Sequence, residues 1–347
     1  MNFQIYKSKF LAESRRNGCT DQFIDDCLKY AKNLHLQQLP IVFNVTHLSF
    51  LLGYEEKYLK KAVTHTSKFY RNFSIAKKSG KPRGISEPLP NLKDIQTWIL
   101  HNMLSKVSIS KYAKAYIQGK GIKHNVRFHV KQKMLFTADI SNFFPSLTFD
   151  EVEKVFLSLG YTENLSNLLA KLCCKSGCLP QGAPSSPYLS NLLMVNIDNK
   201  IGDFCAIRKI RYTRYADDMS FSGDFNLIEL KSYLISILSE KNLKLNSQKC
   251  RIMSRNTSQM VTGIVVNEKP QVAKEERNRL RQELYYIQKF GLISHLSHIG
   301  INDHNYLKHL FGKVGYVNFI NPKDQEFITY KSILKELLRK EKILLEE

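Results

Sequence analysis

The sequence is short of acid: against 52 lysines and arginines it sets only 31 aspartates and glutamates, a formal net charge of +21 at pH 7. That imbalance points to a polyanionic partner, because neutralising phosphates releases condensed counterions. Long apolar runs are also missing. No stretch approaches the roughly 18 apolar residues of a membrane span, and the opening MNFQIYKSKF lacks the apolar centre of a secretory signal. The expectation is a protein of the cytoplasm without a membrane partner. The seven cysteines are an odd count, which argues against a disulfide framework and for a reducing compartment. Cys173, Cys174 and Cys178 cluster, but without paired Cys-x-x-Cys spacing or a nearby histidine they read as small apolar core residues rather than zinc ligands. There is a single tryptophan, Trp98, and neither an internal repeat nor a low-complexity tract.

What is present is ordinary for a folded chain: 347 residues, 43% apolar and 24% charged, enough for two or three structural units. Residues 1–60 read as a helical segment with a turn near Leu39-Pro40 and a helix start near Asn44 or Thr46. Residues 61–132 contain RNFSIAKKSGKPRGISEPLP, two short alternating pieces around a basic turn, which is a hairpin pattern, followed by a helix from about Asn91 to Leu104. Residues 133–268 open on KMLFTADI, a buried strand ending in acid, and continue through helices near 150–175 and 187–206. RKIRYTRYADDMSFSGD then reads as strand, tight turn and strand. A helix at about 226–240, a short strand near 250 and the β-branched strand VTGIVVN follow. Residues 269–347 look helical and basic. Strands and helices alternate irregularly, which favours an α+β fold.

Tyr215-Ala216-Asp217-Asp218 is the sharpest local feature. Two adjacent acids at the turn of an apolar hairpin repel each other, and crowding them is costly unless a cation sits between them. A solvated Asp-Asp turn is the plain alternative. Asp139, at the end of its own strand, offers a third carboxylate. Together the three make a hard oxygen site suited to Mg²⁺, and a pair of such ions serves in-line phosphoryl displacement.

TADISNFFPS, LPQGAPSSPYLSNL and YADD, in that order and at those separations, resemble the palm motifs of reverse transcriptases, from about Arg71 to the mid-280s. The resemblance implies a right-hand polymerase with fingers, palm and thumb, adding deoxynucleotides to a growing 3′-OH along an RNA template. It also implies two Mg²⁺ ions, with Mn²⁺ a substitute. Asp139, the carbonyl of Ile140 and Asp217 would hold the metals, with Asp218 completing the acidic cluster. Phe144, five residues after Asp139, takes the position of the bulky gate that clashes with a ribose 2′-OH; a plain core phenylalanine is the alternative, and Phe143 fits that description better. Gln181 would contact the incoming dNTP, and Gly182 would let the backbone approach closely. Lys77 and Arg83 match the fingers residues that grip the triphosphate, with Lys78 and Lys81 near enough to be confused with Lys77. Lys249 matches the lysine proposed to protonate the leaving pyrophosphate.

Features outside these boxes resemble the bacterial retron branch. Val261-Thr262-Gly263 matches a triplet implicated in recognising the enzyme's own structured RNA. Asn125-Val126-Arg127-Phe128-His129 resembles an Asn-Ala-x-x-His element, with valine where alanine is usual, and the resemblance implies that Asn125 and His129 also contact that RNA. The leader LPIVFNVTHLSFLLGY and the short stretch after residue 290 also fit that branch better than an intron-encoded protein. Lys274, Arg277 and Arg281 form a basic stripe beside an apolar stripe of Leu280, Leu284 and Ile287, as on a thumb helix that packs on one side and meets phosphates on the other; a solvated charged face is the competing reading. The branch implies a cognate structured non-coding RNA as template and primer, priming from a guanosine 2′-OH and a branched RNA–DNA product. It further implies a role in antiphage defence beside a separate effector protein. A diversity-generating or group II intron-like enzyme, or a non-catalytic RNA-binding scaffold, are the rival expectations.

Overall fold

The structure, a computed structural model, describes residues 2–76, 80, 82–300, 303 and 305–346, with side chains through Arg339. In chain order the elements begin with helices α1 (Phe3–Arg16), α2 (Asp21–Leu36), α3 (Val45–Leu52) and α4 (Glu56–Thr64). The hairpin β1 (Tyr70–Ala76) and β2 (Pro82–Pro88) follows, then α5 (Pro90–Asn102), α6 (Ile122–Val126) and β3 (Met134–Asp139). Next come α7 (Phe149–Ser158), α8 (Glu163–Cys173), α9 (Ser186–Leu193), α10 (Val195–Ile207), β4 (Arg211–Tyr215), β5 (Asp218–Gly223) and α11 (Leu227–Ser239). The chain ends with strands β6 (Arg251–Ser254), β7 (Met260–Val261), β8 (Ile264–Val265) and β9 (Gln271–Val272), then α12 (Lys274–Phe290), α13 (Leu292–Ile299), α14 (Tyr306–Ile320) and α15 (Gln325–Glu346).

Local signals account for many boundaries. Asn44 caps α3, its side chain accepting the His47 N–H at 2.8 Å, and Gly53 stops the helix in the left-handed region at φ 72°. Thr148 and Glu151 form a reciprocal capping box at the start of α7. Gly160, at φ 93°, separates α7 from α8.

The chain forms two compact units. The first comprises Met1–Gln118, Ile140–Asp203 and Ser232–Leu245; the second comprises Gly119–Asp139, Phe204–Lys231 and Asn246–Glu347. In the first, β1 and β2 pair antiparallel from Tyr70↔Pro88 to Ala76↔Pro82. Gln96, buried on α5, donates to the Tyr70 hydroxyl and to the Leu172 carbonyl, both at 2.8 Å, tying α5 to β1 and α8. Cys173 and Cys174 are buried in this unit, and burial pushes the Cys173 thiol up to about 12, a value that keeps it protonated and unreactive.

The second unit carries an antiparallel sheet of order β4-β5-β3-β6 and a small sheet of order β7-β8-β9. VTGIVVN, expected as one strand, is instead a tight hairpin, because Thr262 and Gly263 both take positive φ (46° and 82°) between the paired residues Val261 and Ile264. One hydrophobic core joins Leu135 of β3, Val261 and Ile264 of that hairpin, Leu280, Leu284 and Ile287 of α12, Val314 of α14 and Phe327 of α15. The apolar stripe expected on the basic helix is therefore the face that α12 buries. Among the described residues no helix is long and apolar enough to cross a membrane.

Candidate active site

Strand β3 is central in its sheet, flanked by β5 and β6. Its apolar residues Leu135, Phe136 and Ala138 are buried, as befits a strand covered on both faces. It ends on Asp139, whose direct cross-strand partner is Asp218, the first residue of β5. Strands β4 and β5 are joined through the two-residue loop Ala216-Asp217. Ala216 holds φ at 60°, a position where hairpin loops usually place glycine. Arg214, fully buried on β4, donates from Nη1 to the Ala216 carbonyl at 3.0 Å and helps hold that loop.

This geometry brings one carboxylate oxygen from each of Asp139, Asp217 and Asp218 within 4.8 Å of one another. Like charges directly opposite across a ladder destabilise a sheet. The cost registers on Asp218: loss of water around its carboxylate, then the charges of Asp217 and Asp139, push its pKa up to about 6 from an ordinary 3.8, with Lys249 opposing. The Asp218 residue is nonetheless exposed overall, so solvent screens part of this repulsion. A hard oxygen donor set with this much negative charge fits divalent cations. Lys249 meets the same cluster, its Nζ donating to Asp139 Oδ2 at 2.7 Å. Burial alone would lower the Lys249 ammonium, but the hydrogen bond to Asp139 and the charges of Asp139, Asp217 and Asp218 raise it overall. The Asn246 N–H donates to the Asp139 carbonyl at 2.8 Å and anchors the short turn that carries Lys249.

The remaining expected residues fall into separate groups. In the first unit, Arg83 lies exposed on β2 opposite Ile75. Ile140, next in the chain after Asp139, is buried and bridges to Leu245. Phe143 is buried whereas Phe144 is half-buried, its ring 6.5 Å from that of Tyr116. Gln181 accepts from the Ser86 N–H at 2.8 Å through its carbonyl. Gly182 has φ 127°, and a Cβ there would stand 2.8 Å from the Ser86 carbonyl oxygen, so only glycine fits this approach. Lys77, with Lys78 and Lys81, lies outside the described residues.

In the second unit Asn125, His129 and Val261 are buried. Asn125 reaches Thr262 at 3.5 Å, a long contact. On α12, Lys274 is exposed, Arg277 donates to the Val272 carbonyl at 3.1 Å, and Arg281 makes a bidentate pair with Glu326 of α15, both bonds at 2.7 Å. Arg281 thus braces α12 against α15. Sequence reasoning missed Thr213, Arg214 and Ser222, polar residues buried in β4 and β5. The alternating strand pattern carries no signal that marks them.

The reverse transcriptase (RNA-dependent DNA polymerase) profile matches residues 75–277, more than half of the chain. The chain belongs to the reverse transcriptase family; it has the α+β right-hand polymerase fold and is an RNA-directed DNA polymerase. It is 31% identical to the Retron Ec86 reverse transcriptase of Escherichia coli over 304 residues, covering 86% of this chain and 91% of that protein. It is 31% identical to the Retron Ec83 reverse transcriptase of Escherichia coli (73% of this chain, 83% of the relative). The Retron Mx65 reverse transcriptase of Myxococcus xanthus is 30% identical over 74% of this chain and 62% of its own length. Those similarities put the polymerase on the retron branch.

Proposed function

We propose that Asp139, Asp217 and Asp218, with the carbonyl of Ile140, hold two Mg²⁺ ions, Mn²⁺ being an acceptable substitute, and that this cluster is the polymerase centre. The observation that carries the reading is the pairing of Asp139 directly opposite Asp218 with Asp217 beside them, three carboxylates crowded within 4.8 Å. Bound there, divalent metal supplies activation of the attacking hydroxyl and neutralisation of the departing pyrophosphate. Lys249 holds a proton at Nζ beside the site and gives it to the pyrophosphate. Lys77 and Arg83 grip the triphosphate. Gln181 and Gly182 shape the nucleotide pocket, and Phe144 lies under the sugar and excludes a 2′-OH. In this reading residues 61–132 act as fingers, 133–268 as palm and 269–347 as thumb, with the helical segment 1–60 preceding them.

The template and primer are parts of one cognate structured non-coding RNA. Val261, Thr262 and Gly263, together with Lys274, Arg277 and Arg281 of α12, are its recognition elements. Synthesis starts at a guanosine 2′-OH and leaves single-stranded DNA branched from RNA. The cytoplasmic system serves antiphage defence with a separate effector protein. The net charge of +21 supports a nucleic-acid partner of this size.

Purifying the protein from its native operon and sequencing the bound nucleic acid tests the retron part: a short DNA joined to RNA by a 2′–5′ linkage is expected, and recovery of ordinary cellular RNA alone refutes it. Extension of a primed RNA with Mg²⁺ tests the catalytic part. An Asp217→Asn, Asp218→Asn protein that extends as well as the wild type refutes the assignment of the carboxylates.

A further inference from the structure

The two arms of the catalytic hairpin are linked by a buried chain of hydrogen bonds. His129, in the short turn after α6, reaches both strands: its Nδ1 is 2.7 Å from Ser222 Oγ on β5 and its Nε2 is 2.7 Å from Thr213 Oγ1 on β4. Thr213 in turn donates to Asn125 Oδ1 at 2.6 Å. A hydroxyl has one proton to give. With that proton on the Asn125 bond, Thr213 accepts from His129 Nε2–H, and Ser222 donates to Nδ1. The direction of the chain is therefore set from Ser222 through His129 and Thr213 to Asn125. Its outer end is the long contact from Asn125 to Thr262 at 3.5 Å.

The position of the chain matters as much as its geometry. Side chains alternate along a strand, so Asp218, Ser220 and Ser222 share one face of β5, and Thr213 lies on the same face as the partner of Ser220. His129 therefore spans the hairpin on the face that carries Asp218. The loop it steadies is strained, with Ala216 at φ 60°. The hairpin also has few residues to hold its shape, since β4 runs only from Arg211 to Tyr215. None of the four residues is open to a nucleic acid: relative exposure is 1% at Asn125, 0% at His129, 1% at Thr213 and 0% at Ser222. Aliphatic side chains would fill the same space without desolvating polar groups. What a fully paired polar chain adds is one defined arrangement of the strands it joins.

The geometry points to Asn125, His129, Thr213 and Ser222 as positioning residues for the polymerase reaction: they hold β4 and β5 in the register that places Asp217 and Asp218, rather than touching RNA. This rests on the reading of those carboxylates as the catalytic centre. The Asn-x-x-x-His element thereby governs turnover on any template, not affinity for one.

The test uses the full-length protein, poly(rA)·oligo(dT) and dTTP. Single-turnover incorporation, affinity for the duplex by fluorescence anisotropy and the melting midpoint are measured in parallel. Thr213→Val keeps shape and removes the hydroxyl; Thr213→Ser keeps the hydroxyl. The expected result is a fall in the maximal incorporation rate of about tenfold or more for Thr213→Val, as displaced catalytic groups produce. Duplex affinity should stay within about twofold, a change too small to account for a tenfold loss in rate, and Thr213→Ser should recover most of the rate. A wild-type rate in folded Thr213→Val, a loss explained by weaker duplex binding, or no recovery in Thr213→Ser would each overturn the inference. If Thr213→Val does not fold, Ser222→Ala, which deletes one hydroxyl at the other end of the chain, is judged by the same rate and affinity criteria. Asp218→Asn is the control. If it incorporates normally, the catalytic reading has failed; if it is inactive while Thr213→Val is normal, only the positioning role has failed.

Discussion

Replacing Asp218 with asparagine should make the metal-free protein more stable while ending its activity. Asp218 faces Asp139 across the ladder, with Asp217 adjacent, and its carboxyl is pushed up to about 6 from 3.8. A carboxyl with a raised folded-state pKa binds its proton more tightly folded than unfolded. Stability from this source is therefore complete below 3.8, declines as pH rises, and is lost above about 6. At pH 8 the wild type bears the whole penalty. The difference between the two pKa values corresponds to ~3 kcal/mol if taken in full. Because the Asp218 residue is exposed overall, solvent screening brings the expected gain on neutralisation to ~1–2 kcal/mol. Thermal melting in EDTA at pH 8 should then show Asp218→Asn unfolding a few degrees above the wild type, in keeping with about 2–4 °C per kcal/mol for chains somewhat smaller than this one. The gap should close toward pH 4, where the wild-type carboxyl is protonated. Saturating Mg²⁺ should reverse the order, since a cation that binds the folded site stabilises it by mass action and the variant has lost a ligand. Incorporation should drop on the order of a thousandfold or more. A variant that melts at or below the wild-type temperature in EDTA at pH 8 would refute the inference that crowded carboxylates demand a cation.

Phe144→Ala should open the sugar pocket; the ratio of kcat/KM for ribonucleotide to that for deoxynucleotide is expected to rise about 10- to 100-fold, and an unchanged ratio would return Phe144 to a packing role. Gly182→Ala places a Cβ 2.8 Å from the Ser86 carbonyl oxygen at φ 127°, so a loss of roughly 1–3 kcal/mol in denaturant unfolding is expected, with impaired nucleotide binding. Lys249→Met removes the ammonium 2.7 Å from Asp139. At saturating dNTP the incorporation rate should fall about 100-fold, with loss of the high-pH limb of its profile, whereas Lys249→Arg should lose less.

The order and spacing of TADISNFFPS, LPQGAPSSPYLSNL and YADD already carried the class of chemistry. Such motifs are legible because they are local. A strand ending in acid and a two-residue hairpin loop each depend on residues within a few positions. For the same reason the β1–β2 hairpin, the Asn44 cap and the buried stripe of α12 follow from short-range pattern. Partner choice across the fold does not. Tyr212 and Phe221, apolar residues of β4 and β5, stack at 4.9 Å between ring centroids, yet Arg214, Thr213 and Ser222 lie just as deep in the same strands. An alternating strand pattern has no way to mark a buried arginine or a buried hydroxyl whose partner comes from another segment.

By itself the sequence determined that this is a basic, metal-suited polymerase of the reverse transcriptase type. Only the tertiary structure decided that Asp139 stands opposite Asp218, that Asn125 and His129 face inward to β4 and β5, that Thr262-Gly263 is a turn, and that Arg281 is engaged by Glu326. The physical reason is that charge and short motifs belong to the chain, whereas burial and pairing belong to contacts between residues far apart along it, which exist only once the sheet and its helices have closed around them.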